Sequence, residues 1–298
     1  EKNYVERWVP VVDPKGEAQG TVMLRFYDDM PSVAYINVSH FQTMMYPGTA
    51  IQTQALGEGR YQLTSPCGTA VVNTDKDTFD SDDYEAFTNM MGMVQPGMPN
   101  VSLDGLPLVR WKSMEATPQK VHLTLDYGKF GIDIRVDGND VYFPLATIAD
   151  LYTDIYMHTA DYNGQQVMVA PMGAEELEDG YPKFFIAPIL KETRTKDMAT
   201  FAYNNLCFTL TNFFGYPGRT LLEKKGLKEK GLDQALKDYG QAGEMTRQLL
   251  LSTNMYEYIA GTNTLGCLLN DGGHTDTGIG HTSQMDSSTD FYKTMGNT

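Results

Sequence analysis

Residues 265–288, LGCLLNDGGHTDTGIGHTSQMDSS, bring two histidines, three aspartates and three serines into one short stretch. Asp271, His274, Asp276 and His281 are of the types that ligate zinc or iron. Ser283, Ser287 and Ser288 are hydroxyls close in sequence to an imidazole. The spacing argues against both chemistries. The metal-type residues sit in a glycine-rich loop rather than on a helix face that would preset their geometry, and nothing upstream supplies a fixed third ligand. A nucleophile needs a positioned base and oxyanion donors, whereas this polar run has no apolar anchor before Phe291 and Tyr292. The stretch therefore reads as a helix end and a turn. In it Asp271 and Thr275 bond the backbone, and Gly272 and Gly273 accept positive φ beside His274. No catalytic residue, metal or cofactor is assigned.

Other reactive side chains are scattered. Residues 73–87, NTDKDTFDSDDYEAF, are acidic, but Asp80 stands where an EF-hand loop starting at Asp75 needs glycine, and Ala86 where it needs glutamate. The reading is a strand end with Asp80 or Ser81 capping a helix whose first turn holds Asp82, Asp83 and Glu85, where carboxylates oppose the helix dipole. EELEDG (175–180) is a solvated charge run before a turn. His40, His122 and His158 fall among strands and helices. No phosphate loop, GxSxG or HExxH is present. Cys67, Cys207 and Cys267 lack metal-type spacing; they read as free thiols, and if two of them pair, Cys207 with Cys267 is the favoured couple.

The elements around these residues change character along the chain. The first ~190 residues alternate like strands. GTVMLRFY precedes the turn-like DDMPS, and GRYQLTS and GTAVVNT flank Pro66-Cys67-Gly68 as a hairpin. KVHLTLDYG and GIDIRV follow, the latter running into the turn at Asp137–Asp140. YINVSHFQTMM (35–45) aligns without gaps to YFPLATIADLY (142–152), each a short strand followed by a helix starting near Ser39 or Thr147. A glycine then precedes a further strand in both, which reads as a duplicated strand–helix unit. From about Thr195, KDMATFAYNNLCFTLTNFF carries Met198, Ala202, Leu206, Leu210 and Phe213 at helical spacing, with Phe201 and Phe208 widening the face. Gly215–Gly218 ends it. GLDQALKDYG, GEMTRQLLLS and STNMYEYIAGTNTLGCLLND read as three more helices, the last capped by Ser252 or Thr253.

The expected fold class is α+β: a β-rich region over 1–190, a helical bundle over 191–275 closing on the Gly-Gly-His-Thr turn, and a polar tail over 276–298. A length of 298 residues fits two units better than one core. The net charge of −15 excludes non-specific nucleic-acid binding and docking on anionic lipid. No apolar run reaches the ~20 residues of a membrane span. The chain begins at Glu1 without methionine or an apolar leader, as after removal of a signal segment or trimming.

Four stretches carry a family resemblance: LRFYDDMPSVAYINVSHF, DVYFPLATIADLYTD, TKDMATFAYNNLCFTLTNFFGYPG and LLNDGGHT. In this order they resemble the N-terminal half of bacterial carboxy-terminal processing, or tail-specific, serine peptidases. The closest subgroup has a long β-rich region similar to the N-terminal domain of copper amine oxidase-like proteins. The likeness covers about residues 5–275. It implies a secreted, periplasmic or cell-surface protein whose parent hydrolyses polypeptide. In that parent the β-rich part positions substrate and the helices brace a peptidase core. It also implies that Asp271, Gly272, Gly273, His274 and Thr275 form a structural junction, in contact with a core carried by polypeptide beyond this chain. The alternative is an extracytoplasmic module that binds polypeptide or glycan without catalysis, for which tyrosine and tryptophan exposed beside a cleft would be the sign.

Overall fold

The computed structural model of the chain describes residues 3–88, 102–103, 106–107, 120–156, 158–171, 180–214 and 220–269. In chain order the β-rich part runs β1 (Tyr4–Val12), β2 (Ala18–Tyr27), β3 (Met30–Asn37), α1 (Val38–Met45), β4 (Gln52–Gly57), β5 (Arg60–Thr64), β6 (Thr69–Asn73), β7 (Thr78–Ser81) and α2 (Tyr84–Thr88). It continues with the short pair β8 (Ser102–Leu103) and β9 (Leu106–Pro107), then β10 (Leu123–Asp126), β11 (Arg135–Asp137), β12 (Asp140–Pro144), α3 (Leu145–Tyr156), β13 (His158–Tyr162) and β14 (Val167–Pro171). Helices follow: α4 (Gly180–Ile189), α5 (Lys196–Phe213), α6 (Leu221–Lys224), α7 (Leu227–Lys230), α8 (Leu232–Tyr239), α9 (Gln241–Leu250) and α10 (Met255–Leu269). The fold is α+β, as the alternation and the later helical spacing predict.

The strands form a seven-stranded sheet ordered β11-β12-β3-β2-β1-β14-β13 and a five-stranded sheet ordered β10-β7-β6-β5-β4. All pairs are antiparallel except β1 with β14, where Val11 lies beside Val167 and Val12 beside Met168. The hairpin expected at Pro66–Gly68 joins β5 to β6 in the register Thr64 to Thr69. The turn at Asp137–Asp140 closes β11 onto β12, with Gly138 at φ +63°. GIDIRV is a strand only from Arg135 onward.

Both sheets feed one core. Leu24, Phe26, Ile36 and Phe143 come from the larger sheet, and Leu63, Val72, Phe79 and Leu125 from the smaller, with Phe41 of α1, Phe87 of α2 and Ile148 of α3 between them. A second core lies among the later helices, built from Leu222, Leu232, Leu236, Leu250 and Leu265. Helix α5 belongs to both. Its Phe201 and Phe208 enter the first core, and Tyr203, Cys207 and Leu210 the second. The stripe read from sequence as its apolar face is split between the two: Met198 and Phe213 pack against the first core, Leu206 and Leu210 belong with the second. A helix clamped on two sides has no single wet face, so its pattern blurs.

The two aligned stretches meet in space. Strands β3 and β12 pair antiparallel, Ile36 opposite Phe143, and each runs straight into a helix. The hairpins that follow those helices go to different sheets: β4–β5 to the smaller, β13–β14 to the larger. The helices also start earlier than expected. Asn37 caps α1 by accepting from the Ser39 and His40 amides, and α3 begins at Leu145. Thr147 is buried, and its hydroxyl donates 2.7 Å to Asn205 of α5 instead of capping.

Helices α8, α9 and α10 approach through glycines. A Cβ at Gly243 of α9 would run into the Leu236 carbonyl of α8, and one at Gly261 of α10 would come within 2.8 Å of the Leu250 amide. Gly261, one of the internal glycines that weaken α10 as an isolated helix, is therefore its point of contact with α9. Asn254, not Ser252 or Thr253, caps it through the Tyr256 and Glu257 amides.

Candidate functional site

The junction residues Asp271, Gly272, Gly273, His274 and Thr275 lie outside the described residues, as do Asp276, His281 and the three serines. The chain that leads to them is described as far as Leu269, the buried last residue of α10. His40 is exposed on α1. The EELEDG run is described only at Gly180, which opens α4.

The three cysteines are free thiols, and the couple Cys207–Cys267 is not formed. Cys207 faces inward on α5 while Cys267 is exposed on α10. Burial, with the Asp233 carboxylate adding to it, pushes the Cys207 thiol up to about 12, so it carries its proton at neutral pH and is no nucleophile. Asp233, at the start of α8, gathers Tyr203 (2.8 Å), Arg247 (2.6 Å) and Lys237 (2.6 Å). Partial burial works against its charge, yet hydrogen bonds from Lys237, Arg247 and Tyr203 hold it down at about 2. Three donors converge on one carboxylate, and Arg247 also reaches Glu244, which makes this a structural knot of the bundle.

The densest reactive cluster among the described residues stands where β7 pairs with β10. The register Thr124 to Asp80 places Asp80, Asp82, His122 and Thr124 on one outward face, while Phe79 and Leu125 point into the core. Asp80 and Ser81 are thus strand residues. The expected cap role falls to Asp83, which accepts from the Ala86 amide of a helix only five residues long. Asp80, Asp82 and His122 offer ligand atoms within 4.8 Å of one another, the one such set among the described residues. Each ring nitrogen of His122 faces a different carboxylate, Nε2 at 3.6 Å from Asp80 and Nδ1 at 3.4 Å from Asp82. A single ion can take only one of those nitrogens.

Thr124, His122 and Asp82 also stand in the order hydroxyl, imidazole, carboxylate, with the Thr124 hydroxyl 3.2 Å from Nε2. A hydroxyl has one proton, and Thr124 gives it to Asp80 at 2.6 Å. The imidazole is therefore not placed to accept it, and every member of the cluster is open to water. The set is a solvated cross-strand polar patch, not a shielded reaction centre. Sequence reading missed it because pairing of distant strands brings His122 to Asp80.

The outer face of the larger sheet carries a different arrangement. The Arg25 guanidinium is sandwiched 4.0 Å from the Tyr4 ring and 4.0 Å from the Tyr142 ring. It also pairs with Glu6 (2.9 Å) and Asp137 (3.0 Å), and Tyr4 donates to the same Asp137 oxygen. These contacts bind β1, β2, β11 and β12 laterally. On the same face of β1, two residues from Glu6, Trp8 is 67% exposed, an uncovered indole in mid-sheet. The last turns of α10 expose Asn263 and Cys267 rather than an apolar patch.

No helix among the described residues is long and apolar enough to cross a membrane. No family model matches the chain, and no curated protein or solved structure matches it significantly.

Proposed function

We propose that this chain is the non-catalytic front part of a secreted, extracytoplasmic serine peptidase of the carboxy-terminal processing type, acting on polypeptide. The observation that carries the reading is the double membership of α5, which makes the β-rich part and the helical bundle one brace. Helix α10, packed into that brace, delivers the chain to within two residues of Asp271. A helix so braced suits the approach to a junction that must present a following catalytic core in fixed register. The order of the sequence blocks supports the same reading. The finer architecture belongs with it: the paired strand–helix elements at β3–α1 and β12–α3 are two copies of one duplicated unit whose trailing hairpins have been recruited to different sheets.

Two observations test it. The encoded reading frame is expected to continue past Thr298 into ~200 residues with the strand and helix pattern of a peptidase core; a stop there overturns the proposal. The purified chain is expected to leave casein intact and to take no label from a fluorophosphonate probe. Covalent labelling of Ser283, Ser287 or Ser288 would place the chemistry in this chain instead.

The exposed Trp8 beside the Tyr4–Arg25–Tyr142 stack favours a second reading, a polypeptide- or glycan-binding module without catalysis.

A further inference from the structure

We infer that the free edge of β4 is a strand-addition site for an extended, uncharged or basic polypeptide segment. The two main sheets end in four edge strands: β11, β13, β10 and β4. Two of them, β11 with Arg135 and Asp137 and β10 with Asp126, carry charges that normally discourage pairing with another chain, and β13 is only five residues long. Strand β4 reads Gln-Thr-Gln-Ala-Leu-Gly, with no charge and no proline, and at six residues it is the longest of the four.

Its outer edge is open among the described residues. Strand β5 is its only paired neighbour, and Gln52, Gln54, Ala55, Leu56 and Gly57 are all exposed. In an antiparallel edge strand, alternate amides and carbonyls point away from the sheet and must find water or another strand. A register shift between Ala55 and Gly57 bends the end of the strand, so the regular template is Gln52–Ala55. Main-chain hydrogen bonds would supply the binding, and the neutral side chains Thr53, Gln54 and Ala55 impose little sequence preference.

Charge selects the occupant. A net charge of −15 on each chain repels a second copy and any acidic segment. At the hairpin turn next to the template Glu58 lies 3.9 Å from Arg60, and the Asp75 carboxylate stands against Gly59, which leaves the turn slightly acidic. An uncharged or basic strand meets no opposing field. The site deepens the polypeptide reading above but does not depend on a peptidase core, so a stop codon after Thr298 would leave it standing.

The test uses the whole chain and a fluorescent, lysine-flanked peptide of alternating threonine and valine. Binding is expected by anisotropy, with hydrogen exchange slowing at alternate amides of Gln52–Gly57 and unchanged at β10, β11 and β13. The same peptide with every second amide N-methylated is expected to bind at least about tenfold more weakly, about 1.4 kcal/mol. Thr53→Pro, at a position whose amide points away from β5, should reduce binding while far-ultraviolet circular dichroism stays unchanged. The inference is overturned by equal binding of the methylated peptide, by protection at another edge, or by the outward-facing β4 amides already being protected in the chain alone. A dimer that Thr53→Pro dissolves would equally overturn it, making the occupant a second copy.

Discussion

Single side chains in this molecule do their work by closing hydrogen bonds between distant segments, and one of them carries a penalty that pH should reveal. Burial, with the Asp150 carboxylate nearby adding to it, pushes Asp161 of β13 up to about 6 against a hydrogen bond from Thr159. Its reference value in the unfolded chain is about 3.9. A carboxyl raised on folding favours the folded state while protonated, so its contribution is fully present below about pH 4 and is lost as pH rises through 6. Asp161→Asn removes the charge and keeps the shape. The variant is expected to match the wild type near pH 4 and to be more stable at pH 8, on the order of 2 kcal/mol. Urea unfolding at pH 4, 6 and 8 measures this, and a difference that does not vary with pH would refute it. Asp150 itself is occupied by the Asn205 amide (2.9 Å) and the Thr209 hydroxyl (2.7 Å). The unfavourable ionisation therefore falls on Asp161.

At the scale of elements, close helix contact explains both what sequence reveals and what it hides. Gly243 of α9 sits where a side chain would meet the Leu236 carbonyl of α8 and come within 2.8 Å of the Tyr239 Cβ. Gly243→Ala raises helix propensity by up to ~1 kcal/mol, yet overpacking typically costs about 1–3 kcal/mol. The net expectation is a lower denaturation midpoint with little change in slope; a raised midpoint would show that α8 and α9 yield freely. The hairpin at Pro66–Gly68 and helix α5 are legible in sequence because turn chemistry and helical spacing are local. Helices α6 and α7, four residues each, are too short for any period to register. Helix α4 holds Pro182 and Pro188, which read as breakers, yet its Tyr181 and Phe184 pack against Met168 of β14. Caps slip by a residue or two where candidates crowd together, as at Ser252, Thr253 and Asn254. The His122 cluster was illegible for a different reason, since only the β7–β10 register joins residues so far apart. The proposed junction at Asp271–Thr275 was legible as a motif, and its geometry falls outside the described residues.

For the molecule as a whole, α5 turns two cores into one cooperative body. Tyr127 and Phe208 stack at 4.5 Å on the β side, and Tyr203 bonds Asp233 on the helical side. Helical ellipticity and the near-ultraviolet signal of the buried tyrosines should therefore disappear at the same denaturant concentration. Two separated transitions would show that α5 is not shared energetically. The parallel pairing of β1 with β14 has a further consequence, for biosynthesis. Strand β1 occupies the middle of the larger sheet, but its second neighbour emerges from the ribosome only with residues 167–171. Until then the nascent β1–β2 hairpin exposes an unsatisfied margin at Val11 and Val12, so the growing chain should engage holding chaperones throughout that interval and release them once Val167 and Met168 have docked.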